Sequence, residues 1–176
     1  MSLATPRDLF VHELSDSMSA EHIVLGVLGE MVTETENAEA KKAIEHHRKE
    51  TEQQIKNLEK VFELLGESPE KTTCHAAEGL KQEHDALKQE KPEGNVKELG
   101  LLAGAGKTEH YEMASYTMLV QMAKDLGETD AAELLKENLD QEKEMARTVE
   151  SLAKEIGKEV RAEVRENVKA ERPAAS

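Results

Sequence analysis

Four segments of the chain repeat apolar residues every three or four positions, and each repeat is broken near its middle by a carboxylate. The first reads Leu14, Met18, Glu21, Leu25, Leu28. The second reads Ile44, His47, Thr51, Gln54, Leu58, Val61, Leu65, with Glu50 beside His47. The third reads Leu99, Leu102, Gly106, Glu109, Met113, Tyr116, Val120, with Glu112 at its edge. The fourth reads Leu135, Asn138, Glu142, Met145, Val149, Leu152, Ile156. This spacing gathers each set on one face of a helix, a face that must turn inward. Helix-favouring Ala, Glu, Lys, Leu and Met dominate and β-branched or aromatic runs are nearly absent, so the chain reads as all-α.

Local signals bound the helices. Thr5-Pro6 caps and opens one that runs to about Thr35; Asn37 caps a second that ends at Gly66, with Ser68-Pro69 beyond it. Residues 67–95 predict a long connection carrying a shorter helix near Cys74–Gln89 and broken by the PEGN of 92–95. A third long helix is expected from about Val96 to Leu126, stopping at Gly127, and a fourth from Asp130 to at least Ile156. Two short loops and one long crossover predict two antiparallel hairpins, the connectivity of a ferritin-like four-helix bundle. The bundle domain is expected over residues 1–157, with a charged C-terminal helical extension or tail over 158–176. There Lys158, Arg161, Arg165, Lys169 and Arg172 form a basic stripe beside Val160, Val164 and Val168. This stripe either docks on the bundle or another subunit, or stays a solvated helix held by Glu–Lys/Arg pairs.

The breaks in the stripes share a height. With turn centres between Thr35 and Glu36 and between Gly127 and Glu128, Glu21 and Glu50 are equidistant from their turn, and Glu112 and Glu142 nearly so. Burying such carboxylates together costs on the order of several kcal/mol per ion unless something offsets their charge. Two divalent cations would do so, and oxygen-rich ligation with one imidazole suits Fe or Mn better than Cu or structural Zn. The same residues also allow a hydrogen-bonded polar layer without metal, fixing helix register.

Other functions are disfavoured by composition. Asp and Glu number 37 against 23 Lys and Arg, a net charge of −14, which argues against unaided binding to nucleic acid or anionic membrane. Two Tyr, two Phe and no Trp leave little to stack on bases. No apolar run approaches a membrane span, Cys74 has no cysteine partner, and MSLATPRDLF lacks the regions of a signal peptide, so a cytoplasmic protein is expected. GAGKT (104–108) is no phosphate loop, because Leu101 stands where the first glycine is required. Gly100, Gly104 and Gly106, with Gly26 and Gly29, are expected to serve close helix packing rather than a small-molecule path.

The order of DLFVHELSD, Ala20-Glu21, HHRKETEQQIKNLEKVFELLG, the Cys74 region, EHYEMASY and QEKEMA resembles the YciE/YciF-like ferritin-like stress proteins over residues 7–156. The arrangement is also similar to rubrerythrins, whose third helix likewise carries Glu-x-x-Glu. The resemblance implies a carboxylate-bridged site for two Fe or two Mn ions, with Glu21, Glu50, Glu109, Glu112 and Glu142 as ligands. The Glu-x-x-His usual in di-iron bundles is missing, since Gln53 and Met145 stand three residues after Glu50 and Glu142. The reversed His47-x-x-Glu50 takes its place, His47 being a ligand, a partner of Glu50 or a cap on the site. Tyr116 is expected to hydrogen-bond a ligand carboxylate, to donate an electron near the metals, or simply to be a satisfied buried phenol. Tyr111 should face away, and His46 and His110 should be surface residues. The implied partner is a small oxidant, H2O2 or O2, handled as a peroxidase, ferroxidase or manganese catalase would in a stress response, by a homodimer. The competing reading is a non-enzymatic helical stress or interaction protein.

Overall fold

The structure, a computed structural model, describes residues 3–171, with side chains through residue 168. The helices are α1 (Pro6–Glu34), α2 (Ala38–Leu65), α3 (His75–Gln89), α4 (Gly94–Asp125) and α5 (Thr129–Glu171). Thr5 and Asp8 form a reciprocal capping box at the start of α1, with Pro6 at the first helical position. The Asn37 side chain accepts the amides of Glu39 and Ala40, and Gly66 ends α2 in the left-handed region at φ 67°. A buried carboxylate of α4 ties down the first hairpin: Glu98 Oε1 accepts the Glu36 and Asn37 amides at 2.7 and 3.3 Å.

Helices α1 and α2 form one antiparallel hairpin and α4 and α5 the other. The ring closes where α1 packs on α4 and α2 on α5, while α3 lies across α1 and α4. This is the all-α, one-crossover bundle that the loop lengths predict. Every residue of the four stripes is buried or half-buried. The apolar core is not continuous, however. One cluster gathers Phe10, Leu14, Leu58, Phe62, Leu119 and Leu135. The other gathers Val24, Leu28, Ile44, Leu102, Val149 and Ile156. Burying each large aliphatic side chain contributes about 1.5–3 kcal/mol, so the two clusters carry the fold and can offset a costly layer between them.

At Gly100 the close-packing expectation holds, because a Cβ there would lie 2.7 Å from Leu87 Cδ2 of α3. It fails at Gly26, Gly29 and Gly104, where a Cβ would meet no atom within 4 Å. Those three positions border open space rather than a neighbouring helix.

Helix α5 continues unbroken through Gly157 to Glu171. Among its described side chains Ile156 is the last that is buried, and Val164 and Val168 are more than half exposed. Asn95 Nδ2 donates to Glu163 Oε1 at 2.8 Å, joining this segment to the start of α4. Arg172 lies outside the described residues, as does the side chain of Lys169.

Candidate metal centre

Between the two apolar clusters the stripes deliver polar side chains from all four bundle helices. His47 of α2, Glu109 and Glu112 of α4, and Glu142 of α5 are all buried, and one ligand atom of each lies within 4.8 Å of all the others. His47 Nε2 is 3.4 Å from Glu109 Oε2 and 3.6 Å from Glu142 Oε2. Its Nδ1 lies 3.3 Å from Glu50 Oε2.

Glu21 is buried beside this group, and Tyr116 donates its hydroxyl proton to Glu21 Oε1. Glu50 stands at the rim with 25 % of its side chain exposed, between His46 Nε2 at 3.4 Å and His47. Glu21 and Glu50 both stand outside that four-residue group. Glu50 lies next to the stripe of α2 rather than on it, and its carboxylate sits where α2 meets solvent. His46 and His110 are exposed, as expected. Tyr111 turns away, its hydroxyl 2.9 Å from Cys74 Sγ and 3.3 Å from Asp16 Oδ2.

On one side of the group the polar residues form a hydrogen-bonded frame, as the polar-layer alternative allows. Gln54 Nε2 donates to Glu142 Oε1. Asn138 Nδ2 donates to the Tyr116 hydroxyl at 3.0 Å and to the Gln54 carbonyl at 3.3 Å, and Asn57 Nδ2 donates to Asn138 Oδ1 at 2.7 Å. Gln54 and Asn138 were visible as polar residues inside apolar stripes; Asn57 carried no such signal.

The other side is unsatisfied. Glu21 Oε2, His47 Nε2, Glu109 Oε2, both oxygens of Glu112 and Glu142 Oε2 are buried without a hydrogen-bond partner. Native proteins leave few such atoms, and a cluster of them calls for a ligand or ion. Among the described residues, no lysine or arginine ion pair reaches these carboxylates; His47 is their one basic neighbour. Burial, then the charge of Glu142, pushes the carboxyls of Glu21, Glu109 and Glu112 well above the usual range. Burial and the Glu21 charge likewise raise the Tyr116 phenol, which keeps its proton. Glu50 is held low, chiefly by its hydrogen bond with His47. Carboxylates with one imidazole, left unpaired in a dry core, fit hard or borderline divalent ions such as Fe(II) or Mn(II).

A second His–Glu group lies between α1 and α3, where His84 Nε2 is 3.2 Å from Glu34 Oε2 and 4.0 Å from Glu30 Oε2. Lys88 Nζ sits 2.8 Å from Glu30 Oε2 and 2.5 Å from Glu34 Oε1.

Comparison with known proteins agrees with the fold. The family described as "Domain of unknown function (DUF892)" matches residues 5–163. Protein YciF of Escherichia coli is 37 % identical over 144 residues, covering 81 % of this chain and 87 % of YciF. The crystal structure of YciF, described as an E. coli stress protein, superposes with a TM-score of 0.86 over 89 % of this chain and 99 % of that one, at 34 % identity. A protein called YcfI from Rhodopseudomonas palustris gives 0.82 over 85 % and 95 % of the two chains, at 32 % identity. A protein from Xanthomonas campestris gives 0.71 over 93 % and 99 %, at 27 % identity. Among the described residues no helix is long and apolar enough to cross a membrane.

Proposed function

The chain belongs to the DUF892 family, which includes YciF-like proteins, and from that premise we propose that its mid-bundle cluster holds two Fe or two Mn ions and handles dioxygen or peroxide in a stress response. The observation that carries this reading is the set of buried, unpartnered atoms on Glu21, His47, Glu109, Glu112 and Glu142. His47, Glu109, Glu112 and Glu142 would form the shared part of the site, with Glu21 and Glu50 completing it. A pair of such ions supplies two-electron exchange with a small oxidant. The residues around them do the positioning. Tyr116 and Asn138 fix Glu21, Gln54 fixes Glu142, and Glu50 sets which ring nitrogen of His47 faces inward. The apolar clusters on either side keep bulk water out. The raised carboxyls hold protons until a cation displaces them, so ion uptake releases protons.

Protein purified without added metal should carry about two Fe or Mn per chain by elemental analysis. Glu109→Ala should lose both the metal and any oxygen consumption or peroxide decay. Equal rates in wild type and variant would dismiss a catalytic role for the cluster. Metal-free protein with unchanged thermal stability would instead favour a structural, non-enzymatic layer, a reading supported by the Gln54–Glu142 and Asn57–Asn138 bonds. Assembly as a cytoplasmic homodimer, with residues 158–176 as an extension of the bundle, belongs to the same proposal; sedimentation of full-length and 1–157 chains tests the assembly.

A further inference from the structure

A narrow cavity of about 30 Å³ lies between α1, α3 and α4. Its lining runs from half-buried Ile23 and Leu80 at the surface, past Val24, Leu101 and Ala105, to buried Glu109. Most of the few polar groups along it face a partner. Thr108 Oγ1 donates to the Gly104 carbonyl at 3.2 Å, Lys81 Nζ pairs with Asp85 at 2.6 Å, and His84 faces Glu34. Two buried lining atoms lack a hydrogen-bond partner, His84 Nε2 beside Glu34 and Glu109 Oε2 at the inner end. Gly104 forms part of the wall, and a Cβ there would meet no atom within 4 Å, so a larger side chain has room at this point of the lining.

We propose that this cavity is the access route and holding site for dioxygen, delivering it to the Glu109 side of the cluster; the inference rests on the metal reading above. A void lined mostly by aliphatic side chains offers few hydrogen bonds to a hydrated ion or to hydrogen peroxide, and either would lose solvation on entering. Dioxygen is apolar and diatomic. It gives up little hydration, and the space exceeds the 10–15 Å³ or so that a single water-sized occupant requires. The long crossover thereby gains a purpose, because α3 supplies the outer wall that turns a surface groove into a covered passage.

Xenon reports apolar gas sites without any need for metal, so metal-free crystals under xenon pressure test the cavity by itself. Xenon should appear between Val24, Leu101 and Ala105 in the wild type and be absent from Gly104→Leu, which fills the passage. Leucine is a better helix former than glycine, so the variant should keep its thermal stability. Reconstituted to equal metal content, Gly104→Leu should consume dioxygen at least tenfold more slowly while peroxide decay stays unchanged. Equal dioxygen rates, or no xenon in the wild type, would overturn the inference. Xenon bound in a protein that refuses metal would sink the metal reading and leave the gas site standing. Xenon absent from a protein that takes up metal would sink the gas site alone.

Discussion

Among the described residues, two clusters of at least three His and Glu side chains are arranged so that one ion could reach all of them, and they solve the same electrostatic problem in opposite ways. Glu30, Glu34 and His84 lie near the surface, where Lys88 supplies a positive charge from the chain itself. That ammonium holds the Glu30 carboxyl below its usual range, its hydrogen bond being the largest cause and the charges of Lys88, Lys81 and His84 adding to it. Glu109, Glu112 and Glu142 with His47 are buried, no lysine among the described residues pairs with them, and burial pushes the Glu109 and Glu112 carboxyls upward. A shared residue vocabulary therefore says little about ion binding. What separates the two groups is whether the chain already provides the cation.

The largest expected difference comes from removing one charge from the buried group. Glu112→Gln keeps the shape of a side chain whose two oxygens both lack partners. We expect metal affinity to fall by at least ~100-fold, beyond the ~10–100-fold typical of outer partners. The metal-free protein should meanwhile unfold at a higher temperature than wild type at pH 7.5, because glutamine is neutral without a proton that the fold must hold against the pH. Calorimetry and elemental analysis of both proteins, with and without ions, check the two signs. A variant that is less stable when metal-free, with unchanged metal content, would place Glu112 in the structural layer instead.

Tyr116→Phe tests the satisfied side of the same layer. It removes the donor to Glu21 and the acceptor of Asn138, leaving two buried polar groups short of a partner. A loss of about 1–3 kcal/mol is expected by denaturant unfolding. The metal content should survive, since Tyr116 positions a carboxylate rather than replacing one. Retained stability would mean that Asn138 and Glu21 find other partners.

Most of the bundle could be read in the sequence because its determinants are local. Thr5-Pro6, Asn37 and Gly66 each act on atoms within a few residues, so the helix ends fell where those residues put them. The inward placement of Glu21, Glu109, Glu112 and Glu142 followed from spacing alone, since a helix has only one buried face. Glu50 was less legible. Whether a residue beside the stripe points in or out depends on how closely the neighbouring helix approaches. The frame built by Asn57, and the open space at Gly104, depend on contacts between helices distant in sequence, which periodicity does not encode. The expectation of cations came from the cost of burying those carboxylates, and the unpartnered atoms of the cluster support it.

The pH dependence of the metal-free protein sharpens the contrast further. In the unfolded chain, Glu21, Glu109 and Glu112 titrate near their reference value of 4.5, whereas in the fold they hold their protons to higher pH. Between those limits the native state binds more protons than the unfolded state. Unfolding free energy must then fall as pH rises, by up to about 1.4 kcal/mol per pH unit for each proton. The unfolding temperature of metal-free wild type should drop from pH 5 to pH 8. General repulsion in a chain of net charge −14 contributes to this slope, so the difference from Glu112→Gln isolates the buried carboxyl. Identical slopes would mean that Glu112 is ionised in the fold.

The surface group gives the smallest effect and closes the comparison. Lys88 is half exposed, and surface pairs such as those it makes with Glu30 and Glu34 contribute little to stability. Lys88→Met keeps the aliphatic stem and removes the charge, so the unfolding temperature should barely move. The metal content of the core should not change. If the lysine is what keeps ions away from Glu30, Glu34 and His84, the variant should also gain a weak extra site for a divalent ion, seen in a Mn(II) titration and lost again in Lys88→Met/His84→Ala. A titration indistinguishable from wild type would show that the buried group differs by its desolvation, with the missing lysine a consequence rather than the cause.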